Sequence, residues 1–317
     1  MAVFITGGHG HIGSWAAYFL AKAGEQIILY DTNPMVPDHL AEVTQNITFI
    51  KGDVMDFPCL TETFKKYNNE INGILHTVGV MGELVLENPY ANVRLNIGGT
   101  HNMLEIARQF EIPKVVYTST GAVYGAVSGT VAEDQYPPSP CDLYGSTKAS
   151  CEFLGQQYAN SFGFEFRISR VYFCYGQGKW PSRFIRLYRL GFGALEGLED
   201  LAMDKGADQK LDFTYIEDAA RGTAMLYQAE EVKHTIYNIA TGVPTSLGRV
   251  AELSRKYSPF AVKVELGPGE LMQRCEALDI SRAREELGYE PEYSVEEGVK
   301  KYADWIKACL LYTSDAA

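Results

Sequence analysis

The chain reads as an α/β protein: a doubly wound parallel sheet with a smaller mixed α/β lid at its C-terminal end. Three observations carry that reading. The chain opens as strand, glycine turn, helix, strand. Strand and helix then alternate from Val3 to about Ser161, and the alternation breaks after Gly176-Gln-Gly. Such alternation is the signature of a parallel sheet covered on both faces. A length of 317 residues suits one large unit carrying a smaller one.

The first strand, Val3 to Thr6, runs into Gly7-Gly-His-Gly10-His11-Ile12-Gly13. In the helix that follows, Ile12, Trp15, Ala16, Phe19, Leu20 and Ala23 recur at helical spacing, and Gly24 sits where a C-terminal cap belongs. A second strand, Gln26 to Tyr30, ends at Asp31, 18 residues beyond the last glycine. Glycines there permit a tight turn and let a pyrophosphate approach the helix N-terminus, while the acid accepts hydrogen bonds from ribose hydroxyls. This is a Rossmann-type dinucleotide site, with Gly7, Gly10, His11, Ile12, Gly13 and Asp31 as its candidate residues. Thr32-Asn33 offers no cation for a 2′-phosphate, which favours NAD over NADP.

A third strand, Ile47 to Ile50, leads to Lys51-Gly-Asp53-Val54, where Asp53 is placed either to receive an adenine amino group or to cap a turn. A helix around Leu60 to Tyr67 precedes the strand Gly73 to His76 and the loop Thr77-Val78-Gly79-Val80. The next helix, about Tyr90 to Phe110, carries Asn96, Gly98, Gly99 and Thr100 on its early turns. Strand Lys114 to Ser119 is followed by Thr120-Gly-Ala-Val-Tyr-Gly125, then by a turn-rich stretch and Asp142, a helix N-cap. Strand Glu165 to Val171 closes the unit expected to bind the dinucleotide, residues 1–171.

Residues 172–308 read mainly as a substrate lid, some elements of which return to the sheet. The pattern predicts a helix over Trp180 to Gly193, a loop-rich insert over Glu196 to Gln209, a strand over Phe213 to Ile216 and a helix over Glu217 to Tyr227. Ser246 starts another helix, and Ser294-Val-Glu-Glu297 is a capping box. A ligand belongs in the crevice between sheet and lid.

The helix after Asp142 carries Tyr144 and Lys148, four residues apart and hence on one face. A phenol titrates near pH 10, about three units too high for a base at neutral pH. A fixed ammonium favours the phenolate and moves it toward the working range.

A net charge of −12 argues against nucleic acid and against anionic membranes as partners. The six cysteines show no metal-ligand spacing, which points to free thiols, a reducing compartment and no metal site. No signal peptide core or apolar run of membrane-spanning length is visible, so a cytoplasmic location is expected. Cys309-Leu-Leu-Tyr-Thr-Ser-Asp-Ala-Ala317 can be written TGTCTCTTATACACATCTGACGCTGCC, a transposase-type sequencing adapter read in frame. Residues 309–317 are therefore expected to be an assembly artefact.

The chain resembles the extended short-chain dehydrogenase/reductases of the NAD-dependent epimerase/dehydratase family, among them the UDP-glucose/galactose 4-epimerases. The motifs are T-G-G-x-G-x-x-G from Thr6, G-D-V from Gly52, I-L-H from Ile74 and N-x-x-G-T from Asn96. They continue with S-T-x-x-V-Y-G from Ser119, Y-x-x-x-K from Tyr144 and D-F-T-Y-x-x-D from Asp212. The resemblance implies Tyr144 as acid/base, Lys148 lowering its pKa and holding the nicotinamide ribose, and Thr120 bonding the reacting oxygen. It further implies Asp53, Val54, Thr77, Val78 and Asn96 near the cofactor, Tyr172, Phe173 and Arg183 near the substrate, and a homodimer. Three departures stand out. Leu211, Phe173 and Gly267 occupy places where nucleotide-sugar enzymes of the family commonly carry Arg, Asn and Arg. A desolvated diphosphate needs charge-assisted partners. The expected substrate is therefore a small sugar-like or polyhydroxylated molecule undergoing net dehydrogenation. Epimerisation of a nucleotide sugar is the alternative, and a non-catalytic NAD sensor a third.

Overall fold

The computed structural model describes residues 1–67, 70–178 and 185–314. In chain order the first half comprises β1 (Ala2–Thr6), α1 (His11–Lys22), β2 (Gln26–Asp31), β3 (Ile47–Lys51), α2 (Phe57–Tyr67) and β4 (Ile71–His76). It continues with α3 (Pro89–Gln109), β5 (Lys114–Thr120), β6 (Thr130–Val131), α4 (Leu143–Phe162) and β7 (Glu165–Val171). The second half comprises α5 (Arg186–Phe192), β8 (Leu201–Met203), β9 (Lys210–Leu211), α6 (Ile216–Gln228), β10 (Ile236–Ile239) and β11 (Thr245–Ser246). After these come α7 (Leu247–Tyr257), β12 (Val264–Leu266), β13 (Ala277–Leu278), α8 (Ser281–Leu287) and α9 (Val295–Ser314).

The main sheet has the order β10-β7-β5-β4-β1-β2-β3, and every described pairing in it is parallel. Order reverses between β1 and β4, the point where doubly wound sheets open a crevice at their C-terminal edge. Side chains alternate across it with period two. Val3 and Ile5 enter one core with Ala16 and Leu20 of α1 and Ala220 of α6. Ala2 and Phe4 enter the other with Phe64 of α2, Leu104 of α3 and Cys151 of α4.

The lid rests on the first of these cores through Phe192, Val250 and Tyr302. It is stitched by short pairings, β8 with β12, β9 with β11 and β13 with β6. β10 lies within the stretch read as mainly lid, yet it pairs with β7 at the sheet edge, Ile236 opposite Ile168.

Two local expectations change. Phe213 to Ile216 is not a strand: a single bridge, Tyr175 to Tyr215, forms, and α6 begins at Ile216. The partner backbone leaves the extended region at Phe173, whose φ is 37°, so a ladder cannot propagate. The helix expected over Trp180 to Gly193 appears as α5 from Arg186; its earlier residues, including Arg183, lie outside the described residues. No helix among the described residues is long and apolar enough to cross a membrane.

Candidate active site

The glycine turn is shaped for close backbone contact. Gly7 adopts φ +68° and donates to the Tyr30 carbonyl over 3.0 Å, and Gly10 N–H closes back on the Gly7 carbonyl at 2.9 Å. A Cβ at Gly13 would sit 2.3 Å from the Gly7 oxygen and 2.7 Å from Thr77 Oγ1, so only glycine fits. α1 opens at His11 on Gly10, with no side-chain cap and no acid in its first turn. By contrast α3, α4 and α7 are capped by Asn88, Asp142 and Ser246. A bare helix N-terminus flanked by glycines presents N–H groups to an anion. The residues present therefore fit a dinucleotide.

Asp31 projects from the end of β2, with Oδ2 accepting from His9 N–H at 3.0 Å and Oδ1 from Asn33 N–H at 2.9 Å. Each oxygen keeps acceptor capacity for a ribose hydroxyl. Ile12 lines the catalytic cavity, and His11 lies beside Gly178 on the loop after β7.

The other residues expected near the cofactor make the following contacts within the protein. Thr77 donates its hydroxyl to the Thr6 carbonyl at 2.8 Å, bracing the glycine turn. Val78 packs beside Gly7, and Val54 is buried against Gly99 of α3. Asp53 Oδ1 accepts from Met55 N–H at 2.8 Å, a turn cap. Asn96 is buried on α3, accepting from Val80 N–H at 2.8 Å and donating to Val80 O and Thr147 Oγ1, each at 3.0 Å. It thus clamps the loop after β4 to α4.

Thr120, Tyr144 and Lys148, 28 residues apart at the extremes, meet in a cavity of about 550 Å³ under the lid. Thr120 ends β5, and its hydroxyl accepts from Ala122 N–H at 3.2 Å, starting the turn Gly121–Tyr124. Asp142 caps α4 through Gly145 N–H at 2.6 Å, which fixes the turn bearing Tyr144. Burial drives the Tyr144 phenol upward, and a side-chain hydrogen bond with Thr120 pulls it back. The Lys148 ammonium donates to the Thr118 carbonyl at 2.8 Å and lies over the Tyr117 ring. Burial brings its pKa down to about 8. The expected lowering of Tyr144 by Lys148 is thus not the dominant effect here; burial and Thr120 dominate.

The cavity wall is largely apolar, with Met81 and Leu86 from the segment after β4 and Ile185 and Leu187 from the lid. Phe173 lines it, edge-on to Tyr172, while the Tyr172 hydroxyl is committed to the Cys275 carbonyl at 3.0 Å. Arg274 is one of four arginines, with Arg183, Arg186 and Arg189, that the sequence offers in place of the missing clamp. It lies over Phe173 in the cavity wall and binds Asp142 Oδ2 at 2.8 Å, pinning the lid to the cap of α4. Among the described residues no cluster of three or more His, Cys, Asp or Glu is placed to hold a metal ion.

Fold and site together define a dinucleotide-dependent enzyme of the extended short-chain dehydrogenase/reductase type. The description of the NAD dependent epimerase/dehydratase family matches residues 3–240, and the chain belongs to that family; its cofactor is NAD. A UDP-glucuronate 4-epimerase of Thermodesulfobacterium geofontis is 30% identical over 314 residues, covering 96% of this chain and 95% of its own. A UDP-glucose 4-epimerase of Thermus thermophilus, solved with NAD, matches at TM-score 0.83 and 25% identity, over 97% of this chain and 99% of its own. A UDP-glucose 4-epimerase of Thermotoga maritima, solved with UDP-glucose, matches at TM-score 0.84. At 23% identity over 98% and 100% of the two chains, that likeness is one of fold.

Proposed function

We propose that the protein transfers a hydride between a secondary alcohol of a sugar-like or polyhydroxylated substrate and NAD, with Tyr144 as acid/base. The observation that carries this is the convergence of Thr120, Tyr144 and Lys148 in one cavity beside the uncapped N-terminus of α1. NAD, when bound, accepts the hydride leaving the carbinol carbon. As the phenolate, Tyr144 takes the hydroxyl proton and becomes the phenol; in the reverse direction the phenol returns that proton to the carbonyl oxygen. Thr120 donates a hydrogen bond to the reacting oxygen, which supports the charge that develops there. Lys148 supplies a fixed positive charge near the nicotinamide ribose, and Gly7, Gly10 and Gly13 give the pyrophosphate close access to backbone N–H groups.

The substrate is read as small and without a nucleotide diphosphate, such as a free sugar or sugar acid. Leu211 is fully buried in the core, Phe173 is a ring in the cavity wall, and Gly267 has no room for a side chain beside the Asp204 carbonyl. The second reading, epimerisation of a nucleotide sugar with transient reduction of NAD, is favoured by the relatives' activities. Homodimerisation through α3 and α4 accords with Phe153 and Phe162 standing exposed on α4.

The deciding experiment follows NAD reduction with free sugars and sugar acids, beside an epimerisation assay on UDP- and dTDP-sugars. Each is run with wild type and Tyr144→Phe. Turnover should fall at least about 100-fold in the variant while NAD binding persists. Turnover near wild type would refute the role of Tyr144, and conversion confined to nucleotide sugars would establish the second reading.

A further inference from the structure

α4 carries Tyr144, Lys148 and Glu152 at i, i+4 and i+8, on three successive turns of one face. That face meets the C-terminal end of β5, and each residue has its own target there. Thr118 is held through its carbonyl by Lys148, and Thr120 bonds the phenol of Tyr144. Between them, the Ser119 hydroxyl donates to Glu152 Oε1. Three consecutive residues of the strand are thereby tied to three turns of the helix.

Glu152 is only 1% exposed, and its second partner is Arg170 of β7, equally buried, with Nε at 3.0 Å and Nη2 at 2.6 Å. Burial works against the Arg170 charge, and the hydrogen bond and charge of Glu152 more than restore it. Arg170 lies over the Tyr124 ring, and the Tyr124 hydroxyl donates to Asn238 Oδ1 at 2.7 Å. The turn leaving Thr120 is therefore fixed at both ends. A buried ion pair contributes little net stability, because desolvation offsets the attraction, and an apolar pair could fill the same space. An apolar pair could not grip the Ser119 hydroxyl.

We propose that Glu152 is a positioning residue for the reaction, fixing through Ser119 the strand end that carries Thr120 and setting a carboxylate one turn beyond Lys148. This rests on the catalytic reading of Thr120, Tyr144 and Lys148. The groups around the Lys148 ammonium are Cys151 and Glu152 on α4, Tyr117 and Thr118 on β5, His76 on β4, and Asn96 beside Gly79. Burial lowers the ammonium, and Cys151 and Glu152 oppose that fall.

The test uses the full chain, with NAD and substrate each varied while the other is saturating. Ser119→Ala removes one hydroxyl and leaves the ion pair. It should lower kcat about tenfold, with KM for substrate and for NAD within about twofold of wild type and the melting temperature little changed. Glu152→Gln should show the same loss and move the alkaline limb of kcat to lower pH, and Glu152→Asp should recover part of both. Wild-type kcat in Ser119→Ala, or an unmoved limb in a folded Glu152→Gln, overturns the proposal. Should Glu152→Gln fail to fold, Ser119→Ala decides alone. Turnover retained in Tyr144→Phe would overturn the catalytic reading instead, which keeps the two failures apart.

Discussion

Lys148 Nζ hydrogen-bonds the carbonyl oxygen of Thr118 over 2.8 Å, so the ammonium of one helix anchors the strand that ends two residues later in Thr120. One side chain thus places the Thr120 hydroxyl and supplies positive charge to the cavity. Because burial brings its pKa to about 8, the charge is present at neutral pH and is lost as the medium becomes alkaline. Turnover should fall above pH 8 along a one-proton limb. A pH series of kcat checks it, and a plateau extending to pH 10 would count against the role of the charge.

The proposed role of Asp31 in selecting NAD has a direct test. Its carboxylate holds His9 N–H of the glycine turn, and on the proposed reading it also accepts from a ribose hydroxyl. Loss of a charge-assisted hydrogen bond costs about 1.5–3 kcal/mol. Asp31→Ala should therefore cut the preference for NAD over NADP by about 10- to 100-fold. The ratio of the two dissociation constants is the measurement, and an unchanged ratio would refute the assignment.

Asp142 separates a structural contribution from an electrostatic one. Oδ1 caps α4 through Gly145, and Oδ2 binds Arg274 of the lid. Asp142→Ala should lose about 1 kcal/mol or more with the cap. Asp142→Asn keeps a capping oxygen and should lose less stability while freeing Arg274. Chemical denaturation of the two variants side by side gives the difference, and equal losses would show that the ion pair matters more than the cap.

His76 makes acid stability a test of the sheet interior. Its ring lies buried between Thr6 Oγ1 at 2.6 Å and Thr100 Oγ1 at 3.1 Å. Burial, and then the charge of Lys148, lower its pKa to about 3 from 6.5. Between those values the unfolded chain binds a proton that the folded chain refuses. The contribution is whole above pH 6.5 and is lost as pH falls toward 3, at up to about 1.4 kcal/mol per pH unit. The gap between wild type and His76→Gln in denaturation should shrink over that window. A constant gap would exclude His76 as the source.

Features built from neighbouring residues were legible in the sequence. The glycine turn, the alternating strands, the Asp142 cap and the Ser294 capping box each declare themselves within one or two helical turns. In the last, Ser294 Oγ accepts from Glu297 N–H at 3.3 Å and Glu297 Oε2 accepts from Ser294 N–H at 2.9 Å, as the motif requires. The Tyr144–Lys148 spacing belongs with them, since helical geometry alone puts the two on one face. Phe213 to Ile216 misled: Thr214 N–H reaches the Phe173 carbonyl and Tyr175 N–H the Thr214 carbonyl, yet only one bridge forms before α6 begins.

The sequence by itself determined the parallel sheet, the dinucleotide turn and the residues of the catalytic helix, because short periodicities and caps act between near neighbours. Only the tertiary structure decided what those residues touch. The four residues Ile236–Ile239 become an edge strand because β7 offers its backbone. Glu152 finds Ser119 and Arg170, and Arg274 finds Asp142 across 132 residues. Buried polar groups must be satisfied wherever partners exist, and which partners arrive is settled by the packing of β5, β7, α4 and the lid, not by spacing along the chain.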